Sequence, residues 1–158
     1  MSTWSTPHIS KIYEALTAIA DNRITLINGG NEARCYSSSK GKFYNVVYDP
    51  NTNSIMSDDN TAYYTGAVSY PMIALLMLKG VINYDNSLLS PLSNIVWKDI
   101  MTKYKNDYDK GITHVLKDLE KAGHDIKPIK SKIERIYQQA IRIRLKTLGR
   151  KLRPPKAY

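Results

Sequence analysis

The side chains with the clearest capacity for chemistry are the cations near the C-terminal end of the chain. Residues 125–158 hold eleven lysines and arginines but only two acids, whereas residues 1–124 hold twelve of each sign. The surplus of nine cations therefore equals the formal net charge of the whole chain, +9. Such an asymmetry predicts a polyanionic partner, with nucleic acid first and an acidic protein or an anionic membrane surface second.

The sequence predicts that these cations lie on a long last helix, from about residue 130 to residue 152. On that helix, cations that recur in steps of seven, four, four and three form one strip, namely Arg135, Arg142, Lys146, Arg150 and Arg153. A strip of this kind is typical of a helix that offers charge to phosphates. We therefore predict a nucleic-acid interface made of Arg135, Arg142, Lys146, Arg150, Lys151 and Arg153. The alternative is a solvated surface helix that keeps the protein soluble.

The apolar side of the same predicted helix suggests a second function, that of an assembly module. Its apolar residues alternate in steps of three and four, which allows a helix to pack on a partner helix. This seam consists of Ile126, Ile129, Ile133, Ile136, Ala140 and Ile143. If the seam were exposed, it could pair with a second copy of the chain, so a homo-oligomer is among the expectations.

An acidic pair, Asp58 and Asp59, offers a third function, that of a small enzyme. Adjacent carboxylates in a loop could act as general acid and base, or hold Mg²⁺. No third ligand or base accompanies them, and no nucleophile, phosphate-loop or dinucleotide motif occurs in the chain. The sequence therefore identifies no catalytic residue, metal, cofactor or small-molecule ligand.

Residues 42–78 run in the order strand, turn, strand, loop, Gly66 and apolar helix. This order resembles the topology of SWIM zinc domains, which carry Cys-x-Cys on the second strand and Cys-x-His before the helix. The corresponding places here read Ser54-Ile55-Met56-Ser57 and Ser69-Tyr70-Pro71. Because these residues include no zinc ligand, the resemblance implies no zinc.

Tyrosines are numerous around the predicted strands and could stack on bases, as in proteins that bind single strands on a sheet. The candidates are Tyr36, Tyr44, Tyr48, Tyr63 and Tyr64. However, Tyr44, Val46 and Tyr48 share one face of their strand, and one face must cover the core. Packing in the core or at its rim is therefore the favoured interpretation of these rings.

Length and composition are those of a globular protein, with 158 residues, 42% hydrophobic and 23% charged. This length favours a single compact domain over residues 1–158. The single cysteine, Cys35, excludes an internal disulfide and suits a reducing cytoplasm. The longest apolar run is short and is broken by Pro71, so no membrane span is expected.

The element that should organise the fold is the stretch from Gly66 to Gly80, which is apolar on every side from Met72 to Leu78. A helix of that composition must be buried all round. Four short strands separated by turns precede it and predict an antiparallel meander. They are Arg23–Ile27, Ala33–Ser38, Lys42–Tyr48 and Ser54–Ser57. After it, a helix from Ser90 to about Tyr104 and two further helices complete an α+β fold, with a front part (1–83) and a helical part (90–153).

Overall fold

The computed structural model describes residues 2–156, which form a five-stranded sheet and six α-helices. The strands lie side by side in chain order, and neighbours are antiparallel except for the parallel last pair. They are β1 (Ile24–Ile27), β2 (Glu32–Tyr36), β3 (Phe43–Asp49), β4 (Ser54–Ser57) and β5 (Lys146–Thr147). The predicted α+β fold with a meander of β1 to β4 is confirmed.

Three of the six helices lie in the first half of the chain and three in the second half, and α3 packs directly on the sheet. They are α1 (Ser10–Ala20), α2 (Asn60–Thr65), α3 (Tyr70–Leu78), α4 (Trp97–Lys103), α5 (Tyr108–Lys121) and α6 (Ile126–Arg142). Short 3₁₀ turns occur at Asn28–Gly30 and Asn86–Leu88. Within residues 2–156, no helix combines the length and the apolar character needed to cross a membrane.

Helix α3 is the predicted central helix, and its residues from Pro71 to Met77 are buried. It packs against α1 on one side and against strands β1 to β4 on the other. Because every side of α3 has a partner, the continuous apolar run is stabilised by burial rather than by an amphipathic pattern. Buried residues from both halves of the chain belong to the same apolar cluster.

The inner face of the sheet confirms the prediction that Tyr44 and Tyr48 pack in the core. In β3, the side chains of Tyr44, Val46 and Tyr48 are buried, and the residues between them are exposed. Cys35 of β2 lies opposite Tyr44 in the register and faces the same core. Tyr36 instead lies on the outer face and is 46% exposed.

The last helix ends at Arg142, so the prediction that it continues to residue 152 is wrong. The chain turns at Arg144, whose φ is +53°, and then runs parallel to β4. The amide of Lys146 donates to the carbonyl of Asn53, and the amide of Leu148 donates to that of Ile55. The reason is that β4 would otherwise present an unpaired edge, which β5 now covers.

The helix predicted to begin at Ser90 begins only at Trp97. Residues 90–94 form turns, and Asn94 has a φ of +61°. The irregular segment allows Trp97 to enter the core, where it is almost fully buried, while Val96 remains 40% exposed. Burial of one large ring therefore overrides the apolar spacing that favoured a longer helix.

The isoleucine seam packs inside its own chain. Ile129, Ile133, Ile136 and Ala140 are buried, and α6 contacts both α1 and α5. Ile126 and Ile143 are partly buried against the same core, so most of the seam is covered and is not accessible to a second copy of the chain in this fold. The expectation of a homo-oligomer loses the surface on which it depended, and the oligomeric state stays a prediction.

Candidate functional site

A cavity of about 430 Å³ lies between α1, the turn that joins β2 to β3, and the helices α2 and α4. Many of the residues that line it carry a hydroxyl or a charged group. The lining includes Lys11, Glu14, Ser37, Ser38, Ser39, Lys42, Tyr44, Asp59, Thr61, Tyr64, Thr65, Tyr70, Lys98, Thr102 and Tyr108. A concave site with convergent polar groups is the usual form of a small-molecule site.

The wall on α1 carries a buried ion pair. The ammonium of Lys11 lies 3.0 Å from the carboxylate of Glu14, and the two side chains are only 9% and 11% exposed. The ammonium also lies 4.6 Å from the ring centre of Tyr108. Burial alone would lower the pKa of Lys11, but the nearby negative groups, Glu14 foremost, outweigh burial and raise this pKa. Lys11 is therefore charged and is paired with Glu14.

Asp59, one member of the predicted acidic pair, lies in the cavity wall and is buried. Its carboxylate caps α2 by accepting the amide of Ala62 at 2.9 Å. It also accepts the hydroxyls of Ser57 and Ser69, both at 2.5 Å. Asp59 thus connects the end of β4 to the residue that precedes α3 through hydrogen bonds.

Asp58 binds different groups from Asp59, so the two acids do not act as a pair. Its carboxylate accepts the main-chain amide of Asn45 at 2.7 Å and the side-chain amide of Asn45 at 3.1 Å. These bonds extend the pairing between β3 and the end of β4. The structure therefore brings Asp59 to the cavity and keeps Asp58 on the sheet.

Behind the cavity wall lies a buried arginine that has no carboxylate partner within residues 2–156. Arg23 donates to the carbonyl of Tyr36 at 2.5 Å and to the hydroxyl of Tyr70 at 3.5 Å. Its Nη2 atom is buried and has no hydrogen-bond partner in the described part of the chain. Burial raises the pKa of Tyr44 and of Tyr70, so both cavity hydroxyls are neutral donors at neutral pH.

The mouth of the cavity combines free cations with an exposed ring. Lys42 on the β2–β3 side and Lys98 on α4 line it, and neither has a carboxylate within 4 Å in residues 2–156. The main-chain amide of Lys98 donates to Ser38 at 3.0 Å, which ties α4 to the β2–β3 turn. Tyr64 is 73% exposed at the same mouth.

The C-terminal cations predicted to bind phosphates are all exposed, but they do not form one helical strip. Arg135 and Arg142 lie on α6, Lys146 on β5, and the other three in the irregular segment that follows. The predicted strip is wrong beyond Arg142 because the chain leaves the helix there to pair with β4. Within residues 2–156, none of the six cations forms an ion pair with a carboxylate.

Two local features connect these cations to the rest of the surface. Arg142 lines a groove of about 670 Å³ together with Arg144, and Trp4 and Leu145 contribute apolar surface to it. A Cβ placed on Gly66 would lie 3.3 Å from the ammonium of Lys151. The segment after β5 therefore passes close to the C-terminal end of α2. Other residues of α2, such as Thr61 and Tyr64, line the cavity.

Sequence reasoning did not identify the cavity. Lys11 and Glu14 stand one turn apart on a helix with an apolar stripe, a pattern that is typical of a solvated pair. Lys42, Lys98 and Tyr108 come from separate elements, and no short-range spacing links them. In the part of the chain that the structure describes, no cluster of three His, Cys, Asp or Glu residues is placed to hold a metal ion.

Comparison with known families matches residues 4–146 to a model described as "Uncharacterised conserved protein UCP014422". The chain belongs to this family. The matched span contains the whole cavity and three of the six C-terminal cations, Arg135, Arg142 and Lys146. No curated protein and no solved structure is significantly similar to the chain.

Proposed function

We propose that this protein associates with nucleic acid, without catalysis, through its basic surface. We define the basic surface as Arg135, Arg142, Lys146, Arg150, Lys151 and Arg153. The observation that carries the proposal is that all six side chains are exposed and none is paired with an acid in the described chain. Lysines and arginines without an acidic partner can neutralise phosphates and release the counterions bound to them. This counterion release is the main driving force of such binding.

The neighbouring groove supports the same function. Arg142 and Arg144 stand beside an apolar wall that includes Trp4 and Leu145. Arginine suits phosphate because its planar group donates two parallel hydrogen bonds. By contrast, Lys132, another C-terminal cation, is already paired with Asp85 at 3.0 Å and is not part of the basic surface.

The two alternatives have weaker support. Most of the isoleucine seam of the assembly hypothesis is buried in the core of its own chain. In the enzyme hypothesis, the carboxylates of Asp58 and Asp59 already accept hydrogen bonds from neighbouring groups. A cytoplasmic location belongs to the proposal as well, since a chain with one cysteine suits a reducing compartment.

The test is a fluorescence-anisotropy titration of labelled duplex DNA, single-stranded DNA and RNA over a series of salt concentrations. About five phosphate contacts would give a log–log slope of about −4 to −5 on duplex DNA. A variant with Arg135→Gln, Arg142→Gln and Lys146→Gln should lose about one unit of slope for each contact removed. A second variant, with Arg150→Gln, Lys151→Gln and Arg153→Gln, tests the segment after β5.

A matched control removes three exposed lysines that lie elsewhere, by Lys103→Gln, Lys117→Gln and Lys121→Gln. This control has the same net charge as either test variant, so a general charge effect would weaken all three proteins equally. Equal weakening, or absence of salt-sensitive binding by the intact protein at about 50 mM salt, would overturn the proposal.

A further inference from the structure

The cavity between α1, α2 and α4 has the size of a small-molecule site. Its volume of about 430 Å³ is within the usual range of roughly 300–1,000 Å³ for ligand pockets. Its wall is made of side chains from several different elements, and hydrogen bonds such as that of the Lys98 amide to Ser38 connect these elements. The cavity is thus a feature of the folded body and is distinct from the basic surface.

The charges of the wall are not equally available to a ligand. Lys11 is paired with Glu14, and the Asp59 carboxylate already accepts three hydrogen bonds. Lys42 and Lys98 remain, and neither has a carboxylate within 4 Å in the described chain. The ammonium of Lys42 lies 5.4 Å from the ring centre of Tyr44. The charge that the protein leaves uncommitted at the mouth is therefore positive, and it suits an anion.

The mouth also offers a flat apolar surface. Tyr64 is 73% exposed, and its ring contacts Tyr63 edge to face, with ring centres 5.0 Å apart and planes at 88°. An edge-to-face contact leaves ring surface free for stacking. Stacking of a base on an aromatic ring contributes enough binding free energy to hold a nucleotide in place, and this contribution depends little on the identity of the base.

We propose that this cavity binds a nucleoside phosphate. The phosphate lies between Lys42 and Lys98, the base stacks on Tyr64, and the sugar faces the hydroxyl-rich wall formed by residues such as Ser39 and Thr102. The same chemistry has two possible sources, a free mononucleotide or the phosphorylated end of a strand. The site does not depend on the basic surface, so the two proposals stand or fall separately.

The test is isothermal titration of the full chain with adenosine and uridine monophosphates at constant ionic strength. Inorganic phosphate, ribose 5-phosphate and adenosine serve as partial ligands. We expect both nucleotides to bind with a dissociation constant below about 1 mM. Lys42→Ala and Lys98→Ala should each weaken binding about tenfold, because each removes a charged hydrogen bond. Tyr64→Ala should weaken binding, and Tyr64→Phe should retain it.

Lys103→Ala is the matched control, because Lys103 is an exposed lysine of α4 that does not line the cavity. It should bind nucleotide like the unchanged protein. The melting temperature of each variant without ligand establishes that the fold is retained. The variants of the basic surface should also bind mononucleotide unchanged, which separates failure of this site from failure of the proposed function.

Oligonucleotides with and without a 5′-phosphate identify the source of the ligand. If the phosphorylated end binds through Lys42 and Lys98 more tightly than the mononucleotide does, the source is a strand end. Three results would overturn the proposal. They are no detectable binding of any phosphorylated probe at about 5 mM, binding that is unchanged by Lys42→Ala and Lys98→Ala, and equal affinity for inorganic phosphate and nucleotide.

Discussion

The ammonium of Lys11 lies 3.0 Å from the carboxylate of Glu14, one turn along α1, and both side chains are about nine-tenths buried. Buried ion pairs cost desolvation energy, so removal of one partner leaves the other charge uncompensated. Lys11→Met should therefore lower the free energy of unfolding by about 3 kcal/mol. Urea unfolding at pH 7 measures this loss.

The double variant Lys11→Met, Glu14→Leu distinguishes an ion pair from simple packing. With both charges gone, much of the lost stability should return, because no buried charge remains. Lys121→Met is the control for an exposed lysine at a helix end and should change stability by less than about 0.5 kcal/mol. A double variant as unstable as the sum of its single variants would show that the two charges are not coupled.

Cys35 gives a prediction about alkaline pH. The thiol is fully buried, and burial raises its pKa from the ordinary 9.0 to about 12. Above pH 9 the unfolded chain releases this proton while the folded chain keeps it. Stability is therefore complete below pH 9 and is lost as the pH rises toward 12. Burial raises the pKa of Tyr13 from 10.0 to about 12, which adds a loss of the same sign above pH 10.

Urea unfolding at pH 8, 9 and 10 measures the alkaline loss. Cys35→Ala should remove the part of the decline that begins near pH 9 and leave the part due to tyrosine. The native thiol should also react with a disulfide reagent only as fast as the protein opens. Reaction at the rate of a free thiol would contradict the buried position of Cys35.

Asp59 gives a prediction about the wall of the cavity. Asp59→Ala leaves the hydroxyls of Ser57 and Ser69 and the amide of Ala62 without their acceptor. Loss of a helix cap and of two buried hydrogen bonds should cost about 3 kcal/mol of unfolding free energy. Asp58→Ala is the neighbouring control and should cost less, because its bonds to Asn45 are exposed. Thermal or urea unfolding of both variants tests the difference.

Much of the fold could be predicted from local patterns. The all-apolar run of α3 has no stable place except the core, and the turns between β1 and β4 connect neighbouring antiparallel strands directly. The helix α5 buries Ile112, Val115, Leu116 and Leu119, as its spacing predicts. These elements follow from apolar residues that recur about every 3.6 positions in a helix and every 2 positions in a strand, and from the residue types of the turns. Both signals act within a few residues of the chain.

The end of α6 could not be predicted because a distant edge decides it. The spacing of apolar residues after Arg142 suits a helix, but β4 offers unpaired main-chain groups to residues 146–148. The cavity could not be predicted either, because Lys42, Lys98 and Tyr64 come together only after the sheet and the helices have packed. Long-range pairing of this kind leaves no periodic trace in the sequence.

Thr17 and Trp97 give a final prediction about how the two halves of the chain are joined. The indole of Trp97 donates to the hydroxyl of Thr17 at 2.9 Å, and that hydroxyl donates to the carbonyl of Leu92 at 2.6 Å. Thr17→Val keeps the shape but leaves a buried donor and a buried acceptor unpaired, so it should cost about 2 kcal/mol. Thr17→Ser keeps both bonds and should cost about 1 kcal/mol or less, through the lost methyl group. Urea unfolding followed by tryptophan fluorescence measures both variants, and a serine variant less stable than the valine variant would mean that packing, rather than the hydroxyl, holds Trp97 in place.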